Sequence, residues 1–559
     1  MDRSLSVKNV LESYKDITID REFTKDIIFF KLYEKTFLFL APLEDTPSSS
    51  ARIYLFNDEL LDCPHIMLRN DDFPNKLGLP EGTYRWICLF EHNSVVYSLV
   101  PYEEKIRDAI DRLVELLSMN KAERNREYQK EFMFYWNNCS SNGTIYTAYL
   151  SQEESFAEMQ LYYSKGEARI IEKGLILSDN DVRLKGGRVW KHHIENDVFY
   201  IPIADSREIL PPTRGYKWTA SDIQNIVYGD QIEHLRYDSF QMLKTCIPQT
   251  QNIILLFGMK TEQINVVFAA KVKCKNHKGH TLMEKINSDI TEVEPLITHR
   301  KDYHYLCEQI GNDIGLMNKR IMLIGAGSLG SYVAFELVKN GANHLSIYDS
   351  DTLEEENVLR WSYGGLGKGR KKVQVIKMLL EFLHSEIRID AHDKYMDSLA
   401  LIGELTDIDM IIVTIGNSDD QLDFNRALKK AGCSIPVLYI WLEAGGNYSH
   451  ILYVDYQKRG CYECLYTDSN GNIVNNRAIK SINDDSANAV IRNGCGGTRA
   501  AYGTAILLRT TAALLDVIKN INIYGVDSNI LIDISPEVTA VSETKFPMEA
   551  CRCCGNSTN

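Results

Sequence analysis

The first hundred residues alternate short apolar runs with single charged positions, and "IIFFKLYEKTFLFLAPL", "SARIYLFND" and "YRWICLF" predict strands. They give way to "PYEEKIRDAIDRLVELLSM", where Ile106, Ile110, Leu113 and Leu117 recur at helical spacing and make one apolar stripe. Residues 1–120 therefore predict a small α+β domain that closes with a helix. Residues 121–300 open with a charged helix, "KAERNREYQKEFMFYW", and continue through short strands and turns, with "INVVFAAKVKC" the clearest strand. This stretch predicts a β-rich connecting domain. From 301 to 559 strands alternate with helical patterns, which is the signature of a mainly parallel sheet with crossover helices. No internal repeat is present, and the whole predicts a multidomain α/β protein.

Bulk composition narrows the function classes. A chain of 559 residues exceeds one hydrophobic core, and 44% hydrophobic with 25% charged residues is ordinary for globular domains. The start "MDRSLSVKNVLESYKD" has no apolar signal core and the longest apolar runs are strand-sized, so a cytoplasmic protein without a membrane span is expected. A net charge of -14 argues against a nonspecific nucleic-acid binder. Thirteen cysteines in such a chain are unlikely to form a disulfide framework. Each therefore reads as a metal ligand, a nucleophile or a small buried residue.

In "RIMLIGAGSLGSYVAFELVKN", Gly325, Gly327 and Gly330 form GxGxxG between a predicted strand and helix. Glycines there let the backbone turn tightly and approach a phosphate, and the helix N-terminus supplies N–H donors. The next strand ends in Asp349, placed to accept hydrogen bonds from ribose hydroxyls. A dinucleotide and ATP fit equally well to this point. Asp351, Asn357, Arg360 and Lys372 then follow, a concentration of polar and cationic groups that hydride transfer does not need. Attack of a carboxylate on an α-phosphate builds negative charge that such groups offset, so ATP is favoured over NAD. The competing reading places Arg360 and Lys372 on a solvated basic face.

The stretch "GAGSLGS...YDSDTLEEENVLR...GRKK" resembles the adenylating fold of the ThiF and MoeB family and of ubiquitin-activating enzymes. The resemblance runs over about residues 300 to 559, through "PVLYIWLEAGGNYSHILYVDYQKRGCYECLY" to the terminal "CRCCGN". It implies a Rossmann-like ThiF-type domain that uses ATP and Mg2+, with Asp349 on the ribose and Asn357, Arg360 and Lys372 around the phosphates. The family places an aspartate near the magnesium, where this chain has Asn417 in "VTIGNSDD", with Asp419 and Asp420 as substitutes. For the family's upstream arginine, Arg300 is a weak candidate.

Cys461 and Cys464 in "GCYEC", with Cys551 and Cys554 in "CRCCG", make two CxxC pairs whose four thiolates suit structural Zn2+; Cys553 leaves the terminal ligand choice open. Cys274, His277 and His280 in "CKNHKGH" have passable ligand spacing but no fourth partner, and read as a solvated loop. Cys495, flanked by glycines ahead of a helix, is similar to the acyl-capturing cysteine in the crossover loop of activating enzymes. Taken alone, a packing cysteine is the commoner reading of that position.

Residues 20 to 120 resemble a ubiquitin-conjugating core, with Cys88 in "ICL" as its thiol and His65 standing where that family's turn has an oxyanion-supporting asparagine. A buried strand cysteine is the alternative for Cys88. A conjugating-type domain ahead of an activating-type domain resembles the bacterial fusion proteins of CBASS antiphage systems. That resemblance implies adenylation of the C-terminus of a cyclic oligonucleotide synthase (CD-NTase), thioester capture on Cys495, transfer to Cys88 and ligation to an amine of unknown identity, in a homodimer. A sulfur-carrier adenylyltransferase and a non-catalytic binding scaffold are the rival readings.

Overall fold

The computed structural model describes residues 7–555 apart from 43–48, 59–60, 62, 68–69, 90–96, 140–142, 152, 165, 176–189, 214–216, 229–233, 262–264, 312–313, 474–475, 481–489, 493–497 and 536–540. The chain forms two compact units, Met1–Leu175 with Trp190–Arg300, and Ile176–Val189 with Lys301–Asn559. The described residues between 7 and 300 lie in the first of these units.

The first unit contains two sheets. Strands between Ile17 and Ile87 pair consecutively as a five-stranded antiparallel meander. The helix Tyr102–Ser118 covers one face of it, where Ile106, Ile110, Leu113 and Leu116 pack with Phe30, Phe37, Phe39 and Leu55. The apolar stripe read from the sequence is this buried face, with Leu117 only partly covered.

The second sheet runs, in spatial order, through Asn196–Ile203, Asn252–Lys260, Asn265–Cys274, Ile290–Arg300, Ile145–Tyr149, Glu167–Glu172 and Ala157–Ser164, with Lys191–His192 at the end. Strand Ala157–Ser164 also pairs with Asn196–Ile203, so the sheet closes into a ring. Side chains alternate between two cores, with Val198, Tyr200, Ile254, Leu256, Val267 and Ala269 on one face. Phe199, Ile201, Ile253, Leu255, Phe257 and Phe268 lie on the other, under Phe132 and Trp136 of the helix Phe132–Cys139. Burial on both faces explains why these strands read as continuous apolar runs rather than as alternation. Trp136 Nε1 fastens the helix by donating to the carbonyls of Ala269 (3.2 Å) and Leu296 (3.1 Å).

The second unit is a doubly wound sheet. Its strands lie in the order Arg388–His392, His344–Tyr348, Arg320–Ile324, Met410–Val413, Val437–Leu442, Ser449–Val454, Ile530–Ile534 and Val541–Glu543. The first five are parallel and the rest antiparallel. From Arg320–Ile324 the chain winds outward to one edge, then returns to the other side at Met410–Val413. Ligands of such sheets bind beyond the carboxyl ends of the strands at this switch. Among the described residues, no helix is long and apolar enough to cross a membrane.

Candidate functional site

The switch point is where Gly325–Gly330 leaves the strand Arg320–Ile324 and enters the helix Ser328–Lys339. Gly325 has φ +99°, which disfavours any residue with a Cβ, and its N–H donates to the Tyr348 carbonyl at 2.9 Å. At Gly330 a Cβ would stand 2.0 Å from the Gly325 carbonyl oxygen, so only glycine lets the helix close on the strand. Gly327 differs, because a Cβ there would meet nothing within 4 Å among the described residues. The free space lies beside the helix N-terminus, where an anion is favoured.

Three side chains fix this loop. Asp349 accepts from the Ala326 N–H at 2.7 Å and, through its other oxygen, from the Asp351 N–H at 2.8 Å. Each carboxylate oxygen keeps a second lone-pair site for a hydroxyl donor. Trp361 Nε1 donates to the Ala326 carbonyl at 2.9 Å, and Thr414 Oγ1 donates to that of Gly325 at 2.9 Å. Sequence reasoning missed Trp361 and Thr414. The available signal was an indole directly after Arg360, which needs an acceptor when buried.

The cationic residues gather at the same edge. Asn357 orders the turn that carries Arg360, its side-chain oxygen accepting from the Glu354 N–H at 3.0 Å while its carbonyl accepts from the Arg360 N–H at 3.0 Å. Arg360 Nε is buried with no hydrogen-bond partner among the described residues. Lys372 opens the helix Lys372–Leu383, and its buried Nζ lies 2.7 Å from the largely exposed Asp351 carboxylate. An orphaned guanidinium nitrogen, a buried ammonium and the gap at Gly327 together fit a polyphosphate.

Asn417 is the N-cap of the helix Ser418–Lys430, its Oδ1 accepting from the N–H groups of Asp419 (2.9 Å) and Asp420 (3.3 Å). Asp420 accepts from the Tyr395 hydroxyl at 2.7 Å, and Asp419 is exposed. Either aspartate could serve a magnesium ion beside the phosphates. Arg300 lies in the first unit, where its buried guanidinium pairs with Glu153.

A buried polar cluster underlies the antiparallel strands. His450 is fully buried, with Nδ1 2.7 Å from Asp533 and Nε2 2.6 Å from Glu443, and Lys480 Nζ lies 3.0 Å from Asp533. Burial opposes a charge on the ring, but the carboxylates of Asp533 and Glu443 outweigh it and raise the His450 pKa. The sequence offered no sign of this cluster, whose members come from three segments.

Cys461, Cys464, Cys551 and Cys554 place their sulfurs within 4.8 Å of one another, at 3.8 Å for Cys461–Cys551 and 3.3 Å for Cys464–Cys554. Four thiolates about 2.3 Å from one zinc would stand roughly 3.8 Å apart, so the donor set is compatible with zinc. Cys553 lies outside this set and accepts from Asn425 Nδ2 at 3.2 Å.

In the first unit, Cys88 is partly buried at the end of the strand Tyr84–Ile87, and its N–H donates to the His65 carbonyl at 2.9 Å. His65 adopts φ +66°, and its N–H donates to the Tyr135 hydroxyl at 2.7 Å. Its ring nitrogens face Glu127 (3.1 Å) and Glu131 (3.4 Å). Burial opposes the charge on His65, and these carboxylates reverse that and raise its pKa. His65 thus gives Cys88 its backbone carbonyl, while its ring faces Glu127 and Glu131. Cys495 lies outside the described residues.

Residues 310–553 match the ThiF family. Ubiquitin-like modifier-activating enzyme 5 of Caenorhabditis elegans is 26% identical over 165 residues, covering 27% of this chain and 38% of the relative. Its counterpart in Caenorhabditis briggsae is 23% identical over 266 residues, covering 44% and 56%. The uncharacterized protein y4qC of Sinorhizobium fredii is 41% identical over 66 residues, covering 12% and 11%. The chain thus spans between about a tenth and just over half the length of these relatives. Among solved structures, E. coli MccB with SeMet MccA aligns with a TM-score of 0.34 at 22% identity, over 44% of this chain and 69% of that one. The C-terminal part of this multidomain α/β protein, residues 310–553, is a ThiF-family adenylation domain.

Proposed function

We propose that this chain activates the C-terminal carboxylate of a partner protein with Mg-ATP and passes the acyl group through two cysteines to an amine. One observation carries the reading: the open space at Gly327 lies on a loop pinned by Asp349 and Trp361, in the domain that also presents Arg360 with an unsatisfied buried Nε and Lys372. ATP supplies the leaving group, pyrophosphate, when the carboxylate attacks its α-phosphorus. The helix N-terminus, Arg360 and Lys372 offset the charge that develops there, and Asp349 orients the ribose. Lys372 exchanges its pairing with the solvent-exposed Asp351 for a phosphate oxygen.

The thiolate of Cys495 then displaces AMP to form a thioester, and Cys88 takes the acyl group by thiol exchange before an amine releases it. Both thioesters keep the acyl carbon activated while changing its location. The partly buried Cys88 at a strand end supports the second role, and His65 acts there as a positioning residue through its carbonyl. The resemblance of residues 20 to 120 to conjugating enzymes, ahead of an activating-type domain, favours a CD-NTase tail as acyl donor, within a CBASS-type defence system, in a cytoplasmic homodimer with zinc at the four cysteines.

The test mixes the full chain with Mg-ATP and the candidate synthase, for wild type, Cys495→Ala and Cys88→Ala, on nonreducing gels with intact mass analysis. A dithiothreitol-sensitive adduct absent from Cys495→Ala and stalled on Cys495 in Cys88→Ala is expected. ATP–pyrophosphate exchange without an adduct in wild type would overturn the relay and leave a sulfur-carrier type of adenylation.

A further inference from the structure

The loop after the strand Asn265–Cys274 carries His277 and His280, a pair for which the sequence offers no nearby partner. The fold supplies one in Asp289, the last residue of the π-helical turn Lys285–Asp289. Its side chain is 1% exposed, with Oδ1 2.7 Å from His277 Nδ1 and Oδ2 2.9 Å from His280 Nδ1. The Ser288 hydroxyl stands 3.4 Å from Oδ1, and the two imidazole rings are 4.8 Å apart. Cys274, which shares the sequence motif, is not in the set.

A carboxylate taken out of water costs several kcal/mol unless a cation or several donors compensate. Here both oxygens face imidazole nitrogens, while the buried Lys285 directs its Nζ to the Thr250 carbonyl at 3.0 Å. Both imidazoles remain in contact with solvent, at 50% and 38% exposure. Two imidazole nitrogens and one carboxylate, open on one side, are the donor set of a zinc ion that keeps a water in its fourth position. Such ligands stand about 3.3–3.5 Å apart around a tetrahedral ion, so metal would take the place of the shared protons and spread the rings by roughly half an ångström. Exposed rings can make that movement. The π-helical turn that presents Asp289 is itself a rare conformation, often found where a side chain is aimed at a ligand.

We propose that His277 Nδ1, His280 Nδ1 and the Asp289 carboxylate bind one Zn2+ ion in the first unit, with solvent completing the coordination. This site is independent of the adenylation chemistry and of the four-cysteine cluster.

Full-length protein saturated with ZnCl2 and dialysed into metal-free buffer is analysed for zinc per chain, as wild type, His277→Ala/His280→Ala and Asp289→Asn. Both variants are expected to hold one zinc fewer than wild type, with unchanged circular dichroism. The exposed histidine pair leaves the core untouched and serves as the reference if Asp289→Asn is poorly folded. In cobalt-loaded protein, the lost ion contributes ligand-field bands without thiolate charge transfer. Equal zinc content in wild type and the folded double variant would overturn the inference, as would loss of an ion with thiolate bands.

Discussion

Trp361 illustrates how one side chain fixes a loop through a single backbone group. Its indole N–H is the hydrogen-bond donor recorded for the Ala326 carbonyl, in the middle of the glycine loop. Trp361→Phe keeps the ring but leaves that buried carbonyl without this donor, at a cost of about 1–3 kcal/mol. The expected result is a lower melting temperature together with a raised KM for ATP in pyrophosphate exchange. Lys372→Ala is expected to act differently, lowering kcat by roughly 10²–10³-fold, as the loss of a group that offsets transition-state charge does. A Trp361→Phe variant with unchanged KM would mean that the loop holds its shape through Asp349 and Thr414 alone. The glycines, Asp349 and the cations were legible in the sequence because chemistry restricts their residue types. Trp361 was not, since its role depends on which carbonyl the fold brings to its ring.

At the scale of elements, the antiparallel strands Ser449–Val454 and Ile530–Ile534 are tied together by the fully buried His450. Its pKa is raised in the folded protein, so its contribution to stability is present below the unfolded value near 6.5 and is lost as pH rises through the folded value. Asp533 has a lowered pKa, burial being outweighed by His450 and Lys480, so its contribution is lost as pH falls below about 4. Thermal melts across pH should therefore peak between these limits and fall on both sides. His450→Ala leaves Asp533 and Glu443 without their shared cation, and an expected loss of about 3–5 kcal/mol follows. A flat pH profile in wild type would show that folding leaves the pKa values of His450 and Asp533 unshifted. Helical and strand segments were readable from periodicity, but nothing in a linear pattern predicts that His450, Glu443 and Asp533 converge.

For the molecule as a whole, the separation into two units predicts two unfolding events. The cysteine pairs at 461–464 and 551–554 lie in the second unit, where they join the end of the chain to the segment after Ser449–Val454. Removal of zinc by a chelator should lower the transition of the second unit and expose the terminal segment to protease. A chelator-insensitive profile would mean that the thiols pack as a metal-free cluster.

The sequence by itself determined the chemistry that depends on residue type at short spacing: the GxGxxG turn, the acid at the end of the next strand, the cations that follow, and two CxxC pairs. Local steric and coordination rules operate within a few residues, so they leave a linear trace. Only the tertiary structure decided what distant segments do to one another. It closed the strands of the connecting region into a ring, turned the ring of His65 to Glu127 and Glu131, paired Arg300 with Glu153 and gave His277 and His280 the partner Asp289. Those outcomes follow from burial, which makes a polar group take whichever partner the packed core brings within reach.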